Sequence, residues 1–256
     1  AAVPDSAVTA VTSVSGPGMV LRKIAEDAGL VNILREAFPD SWQSILSLAW
    51  YVAGTGNALS HAEAWCGNHE TPFGDSLCSQ RISELLERMP EDGRQTFFKL
   101  WGRQVCERDF LCYDITSVSS YSELNEYVRM GYNRDGEKLP QVNLAMVYGQ
   151  KSHLPVTYRV LPGAIPDVKA LSALLETFRK LEFPSLHLVM DKGFYSQENI
   201  DRLAETRQNF TIAVPSRLKW VREEIDRFRD GMYGPEGYRK VGDEVLYVHT
   251  RMLSWG

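Results

Sequence analysis

The chain has 256 residues, 44% of them hydrophobic and 24% charged, which suits one large or two medium cores and excludes a disordered or low-complexity protein. Its net charge of -5 supplies no general attraction to a polyanion, so any nucleic-acid contact must come from local patches. The apolar run from Trp42 to Leu59 is broken by Gln43, Ser44, Gly54, Thr55, Gly56 and Asn57, which excludes a bilayer span, and Ala1 to Ser15 lacks the basic start of a signal peptide. No membrane partner is expected. Cys66, Cys78, Cys106 and Cys112 lack paired spacing and read as free thiols of a reducing compartment. With Ala at position 1, the start reads as already clipped.

Residues 1–105 read as a helical N-terminal domain. Met19 to Ala28 and Val31 to Phe38 carry apolar residues at helical spacing, with Gly29 between them. Pro39-Asp40-Ser41 stops one helix and caps the next, which runs through Ile45, Leu48, Ala49 and Val52. Gln80 to Met89 and Gly93 to Val105 form two further amphipathic helices, split by Pro90. Trp42, Trp50, Trp65 and Trp101 are expected in the core of this domain.

The pattern changes near Asp109. Phe110 to Ile115 is a short apolar run holding one charge, and Gln141 to Tyr148 and Pro155 to Leu161 are strand-like, with a hairpin-length loop between them. Pro155 suits an edge strand. Pro166-Asp167 opens a helix with apolar positions at Val168, Leu171, Leu174, Leu175, Phe178 and Leu181. Leu186 to Met190 is a further strand and stops at Asp191. Ser196 caps a short helix through Ile200, Leu203 and Ala204, and Phe210 to Val214 is the fifth strand. Three meandering strands followed by alternating helices and strands predict an α/β, ribonuclease H-like mixed five-stranded sheet with flanking helices over residues 106–214. The two most uniformly apolar strands should be central neighbours. Residues 215–256 read as the start of a mostly β insertion, with Val245 to Val248 its best strand.

This order sets Asp114 beside Asp191. Asp114 lies between Tyr113 and Ile115, where an ionised carboxylate is costly unless paired or bound to a metal. Asp191 ends an apolar strand at the carboxyl edge, where open sheets bind ligands. Two adjacent carboxylates repel each other unless a divalent cation neutralises both. Oxygen-only ligation suits Mg²⁺ or Mn²⁺, and two such ions roughly 3.5–4 Å apart clamp the oxygens of an in-line phosphoryl displacement. Asp191 equally suits a turn cap and Asp114 an ion pair with a nearby Arg; spacing alone leaves these readings open.

Four blocks go further: Tyr113-Asp-Ile-Thr-Ser-Val-Ser-Ser-Tyr-Ser122, Gly131-Tyr-Asn-Arg-Asp-Gly-Glu-Lys-Leu-Pro-Gln141, Leu161-Pro-Gly-Ala-Ile-Pro-Asp167 and Met190-Asp-Lys-Gly-Phe-Tyr-Ser196. In this order they resemble the signature blocks of DDE transposases of bacterial insertion sequences, in the "IS four"-like group. The resemblance implies catalytic metal ligands at Asp114 and Asp191, with two Mg²⁺ or Mn²⁺ ions. It implies metal-dependent phosphodiester hydrolysis and strand transfer on double-stranded DNA (element ends and target), a homodimer in the synaptic complex, and a cytoplasmic, nucleoid-associated protein. It assigns the helical domain to DNA-end binding or dimerisation. The third ligand of such enzymes is a Glu in a Tyr-x2-Arg-x3-Glu-x6-Lys pattern, which is absent here; the expectation is that the chain is truncated before it. The competing arrangement is a ribonuclease H-like nuclease with Glu223 or Glu224, on a helix Leu218–Phe228, as third ligand; another is an inactive DNA-binding remnant.

Arg134, Lys138 and Lys192 flank these blocks and are candidate phosphate contacts, or plain solvated charges. Asn133-Arg-Asp-Gly136 is first a turn signature, so Asp135 reads as structural. Arg217, Lys219, Arg222, Arg227 and Arg229 around Trp220 are diluted by Glu223, Glu224, Asp226 and Asp230, as on an ordinary exposed helix. His61, Cys66, His69 and Cys78 fit no common zinc spacing. Ser117, Ser119 and Ser120 have no placed base to make a nucleophile.

Overall fold

Alternating burial builds the central sheet. Along β2 (Gln141–Gly149) every second residue is fully buried and the others are half-buried, the period of a strand with one covered face. The computed structural model describes residues 12–105, 110–131, 138–183 and 186–252. Its five-stranded sheet has the order β3-β2-β1-β4-β5, with β1 Leu111–Ser119, β3 Pro155–Pro162, β4 His187–Met190 and β5 Asn209–Ile212. β1, β2 and β3 run antiparallel in a meander, and β4 is parallel to both β1 and β5. This is the expected ribonuclease H-like order, with β1 and β4 adjacent and Pro155 on an edge strand. β1 runs on to Ser119, four residues past the expected Ile115, because β2 pairs with it over its whole length.

One face of the sheet is covered by α7 (Asp167–Lys180) and α8 (Gln197–Glu205). Ala170, Leu171, Leu174 and Phe178 of α7 and Leu203 of α8 pack with Leu111, Tyr113, Ile115, Val147, Leu188 and Met190 in one buried cluster. Each fully buried aliphatic side chain there contributes roughly 1.5–3 kcal/mol. The other face carries Val118, Tyr158 and Val160 as exposed residues and Leu144 and Met146 half-buried.

The N-terminal part is helical, as read from the sequence: α1 Gly16–Asp27, α2 Leu30–Ala37, α3 Trp42–Thr55, α4 Ala62–Asn68, α5 Ser79–Glu87 and α6 Glu91–Val105. Gly29 (φ 71°) and Gly56 (φ 67°) supply the left-handed residues that end α1 and α3. The short α4 and the 3₁₀ turn Leu59–His61 before it went unread, because seven residues give little periodicity. α6 belongs to two cores. Its Phe97 packs against the helical cluster around Phe38 and Trp50, while Val105 and Trp101 join the sheet core. Trp101 thus departs from the expected helical core; its Nε1 donates to the Pro155 carbonyl at 2.7 Å. Lys99 and Arg103 reach Glu182 at 2.6 and 3.4 Å, and the Phe183 ring lies directly against Gly102.

The segment after β1 is strapped across the start of β2. Arg129 and Gln141 exchange backbone hydrogen bonds at 3.0 and 2.9 Å, and Gly163 N donates to the Tyr127 carbonyl at 3.1 Å. A Cβ on Gly163 would sit 2.1 Å from the Gln141 carbonyl oxygen and 2.7 Å from that of Arg129, so no side chain fits there. Beneath the strap, buried Gln141 and Asn143 donate to the Gly163 carbonyl at 3.3 and 3.4 Å.

Candidate active site

β4 has only four residues, and its ladder with β1 pairs Leu111 with Leu188, Cys112 with Val189 and Tyr113 with Met190. The next position on each strand is Asp114 and Asp191. Residues at matched register in a parallel pair point to the same side, and neighbouring strands lie about 4.8 Å apart. The buried partners Tyr113 and Met190 face the helices, so Asp114 and Asp191 face the open side, and both are exposed. This changes the expected setting of Asp114. It sits mid-strand where β4 stops, on a face that the described residues leave exposed, rather than at a strand tip in apolar surroundings.

β4 stops because Asp191 turns the chain. Its carboxylate accepts the Gly193 N–H at 2.8 Å and caps the 3₁₀ turn Lys192–Phe194. The turn-cap reading of Asp191 is therefore realised, and it leaves the residue at the strand end. Asp114 is held in a parallel way: its Oδ1 accepts the Ile115 N–H at 2.8 Å. Under the pair, the buried Phe194 ring packs against Tyr113 with centroids 4.7 Å apart. A tyrosine preceding one aspartate and a phenylalanine three residues after the other thus lock together on the covered side, fixing the relative height of the two carboxylates.

The donor chemistry fits a hard divalent cation: two exposed carboxylates on one face, all oxygen, with neither sulfur nor imidazole required. Among the described residues, no group of three or more His, Cys, Asp and Glu converges as a metal-holding cluster. Glu223 and Glu224 are not brought to the aspartates. They lie on α9 (Lys219–Phe228), where Glu224 pairs with Arg227 at 3.0 Å and with Arg251, and Glu223 lies 3.7 Å from Lys219. Cys66, Cys78 and Cys112 are free thiols, and His69 stacks on Trp65 at 4.2 Å.

Lys192 is exposed in the turn directly after Asp191. Lys138 precedes β2, whose Gln141 faces Ser119, five strand residues from Asp114 or roughly 17 Å along β1. Arg134 lies outside the described residues, as does Asp135. Sequence reading missed buried Asn199 of α8. The available signal was its phase: it shares the inward side of an amphipathic helix with Leu203, four residues on. After α9 the chain forms a two-stranded hairpin, β6 Tyr238–Val241 and β7 Glu244–Tyr247, the latter overlapping the strand expected over Val245 to Val248.

Comparison with known proteins gives the following. No curated protein matches. The solved structures that match include a simian T-cell lymphotropic virus intasome in complex with PP2A regulatory subunit B56 gamma (16% identity, 49% of this chain, 38% of that one, TM-score 0.30). They also include a piggyBac transposase synaptic complex with hairpin DNA (11% identity, 79% and 44%, TM-score 0.39). A third is a Mos1 transposase paired-end complex with the left transposon end (11% identity, 73% and 70%, TM-score 0.30). The chain thus spans 38% and 44% of the first two. The family described as "Transposase DDE domain" matches residues 106–245, which include the whole five-stranded sheet, both aspartates and α9. Covering more than half of the chain, that match establishes that the protein belongs to the transposase DDE domain family.

Proposed function

We propose that this protein is a DNA transposase of the "IS four"-like group, in which Asp114 and Asp191 are catalytic carboxylates that hold divalent metal ions. The observation that carries the reading is that these two residues directly follow the last β1–β4 pair, Tyr113 with Met190, and are both exposed, inside the stretch matched by the family. When bound, two Mg²⁺ or Mn²⁺ ions supply Lewis-acid stabilisation of both the attacking and the leaving oxygen of an in-line phosphoryl displacement. The chain's own contribution is placement. Asp114 and Asp191 concentrate negative charge at one point, the Ile115 and Gly193 amides orient one oxygen of each, and the described residues leave that face open to a duplex. In the first reaction water attacks the phosphodiester at the element end, the P–O bond to the 3′ oxygen breaks, and a 3′-hydroxyl leaves. In the second that 3′ oxygen attacks a target phosphodiester: the new P–O bond forms as the target's own P–O bond to its 3′ oxygen breaks, and a target 3′-hydroxyl leaves. Lys192 is suited to a phosphate oxygen beside Asp191, with Arg134 and Lys138 as further contacts.

A third carboxylate completes the site, and α9 is a poor source for it because Glu224 is already committed to Arg227 and Arg251. The helical part, residues 1–105, would engage element ends or a second subunit of a homodimeric synaptic complex, with α6 coupling it to the catalytic residues 106–214. The test is Mg²⁺-dependent nicking of a labelled element-end duplex by the intact transposase. Removing a ligand that supplies several kcal/mol of transition-state stabilisation predicts a loss of ~10³-fold or more in Asp114→Ala and in Asp191→Ala. Wild-type nicking by either variant would refute its ligand role.

A further inference from the structure

Asn199 is 2% exposed in an otherwise apolar setting, where a side-chain amide is unfavourable unless bonded. Its Nδ2 donates to the carbonyl of Val168, in the first turn of α7, at 2.9 Å, and to that of Phe194 at 2.8 Å. Phe194 ends the turn that Asp191 caps. That turn's own backbone bonds are long: Phe194 N to the Asp191 carbonyl and Tyr195 N to the Lys192 carbonyl are both 3.3 Å, against an ordinary 2.9–3.0 Å. The shorter contact from Asn199 therefore anchors the turn, and the Ser196 hydroxyl fixes Asn199 in place by accepting its backbone N–H at 3.1 Å.

We propose that Asn199 is a positioning residue for Asp191: it ties the Asp191 turn to the start of α7, and so holds the second carboxylate level with Asp114. This rests on Asp191 being a metal ligand. An apolar residue would fill the same space but leave the turn held only by its own long bonds. The carboxylate would then sample orientations that do not face Asp114, and cation affinity would fall while the global fold persists.

The test uses Mn²⁺ alone as probe on the 256-residue chain, at a temperature where circular dichroism shows each variant folded. Paramagnetic broadening is read at the amides of Ile115 and Gly193, which touch the two carboxylates. In the parent protein both signals broaden selectively. Asn199→Ala requires ~10-fold or more additional Mn²⁺, the usual effect of losing a group that orients a ligand. Asn199→Ser, whose shorter side chain has one donor for the two carbonyls, falls between and serves if the alanine variant does not fold. Leu203→Val trims the same helix without removing a hydrogen bond to the turn and titrates as the parent does. An Asn199→Ala titration indistinguishable from the parent overturns the positioning role. An Asp191→Ala titration indistinguishable from the parent instead overturns the ligand reading beneath it.

Discussion

Neutralising either aspartate should stabilise the metal-free protein. Asp114 and Asp191 directly follow the last rung of the β1–β4 ladder, so the strand spacing sets their backbones about 5 Å apart and makes that the working distance for their charges. Both are exposed, so the water limit applies, and two like charges at that distance repel by about 0.8 kcal/mol. Asn retains the oxygen that accepts the Ile115 or the Gly193 N–H, so Asp114→Asn and Asp191→Asn remove the charge and keep those backbone bonds. For a chain of this size about 1 kcal/mol corresponds to roughly 2–4 °C in Tm. Each single variant should therefore gain up to about 3 °C at low ionic strength in metal-free buffer. The double variant should gain no more than either single one, because the second charge has nothing left to repel. Near 1 M salt, where the screening length is about 3 Å, most of the gain should vanish. Added Mg²⁺ should raise the Tm of the parent alone, since only it binds the ion in the native state. Single gains that add in the double variant, or that persist unchanged at 1 M salt, would refute the side-by-side placement.

Two further outcomes follow from the packing. Lys99, by hydrogen bond and charge, and then Arg103 hold the Glu182 carboxyl below its ordinary 4.5. A depressed carboxyl contributes stability that is complete above the unfolded value and is lost as pH falls through the folded one. Urea titrations should accordingly show the parent losing stability below about pH 4.5 more steeply than Glu182→Gln; identical slopes would remove this ion pair from the docking of α6. At Gly163, an added methyl meets two backbone carbonyls, neither of which can swing aside. Gly163→Ala should cost about 1–3 kcal/mol in chemical denaturation. It should also open residues 120–131 to limited proteolysis, and a variant as stable and as protease-resistant as the parent would show that the strap is not clamped there.

Much of the fold was legible because its signals are local. Gln141 to Tyr148 alternates, and the α7 positions Leu171, Leu174 and Phe178 repeat at helical spacing. Ser196 is read as a cap from its place before an apolar-periodic run, and its hydroxyl does accept the Asn199 N–H. The aspartate pair was legible for the same reason: each interrupts an apolar strand, and a helical crossover brings two such strands parallel.

The rest depended on contacts that no window of sequence contains. The extension of β1 to Ser119 passes through Ser117 and Ser119, weak strand formers that are held by pairing with β2. The sharing of α6 between two cores depends on Phe183, 81 residues after Gly102, arriving against that glycine. Whether Lys138 stands near Asp114 was set by where the strap crosses β2, and Asn199 acquired its partners only when α7 and the Asp191 turn met over it.

The order of strands and helices, and the presence of two carboxylates bound for neighbouring strands, were thus determined by the sequence itself, since periodicity and chain-breaking residues act over a few residues. Which face the carboxylates occupy, how far they stand from water, and which buried amide steadies one of them were decided by tertiary structure, because burial and hydrogen-bond partners exist only between segments brought together by folding.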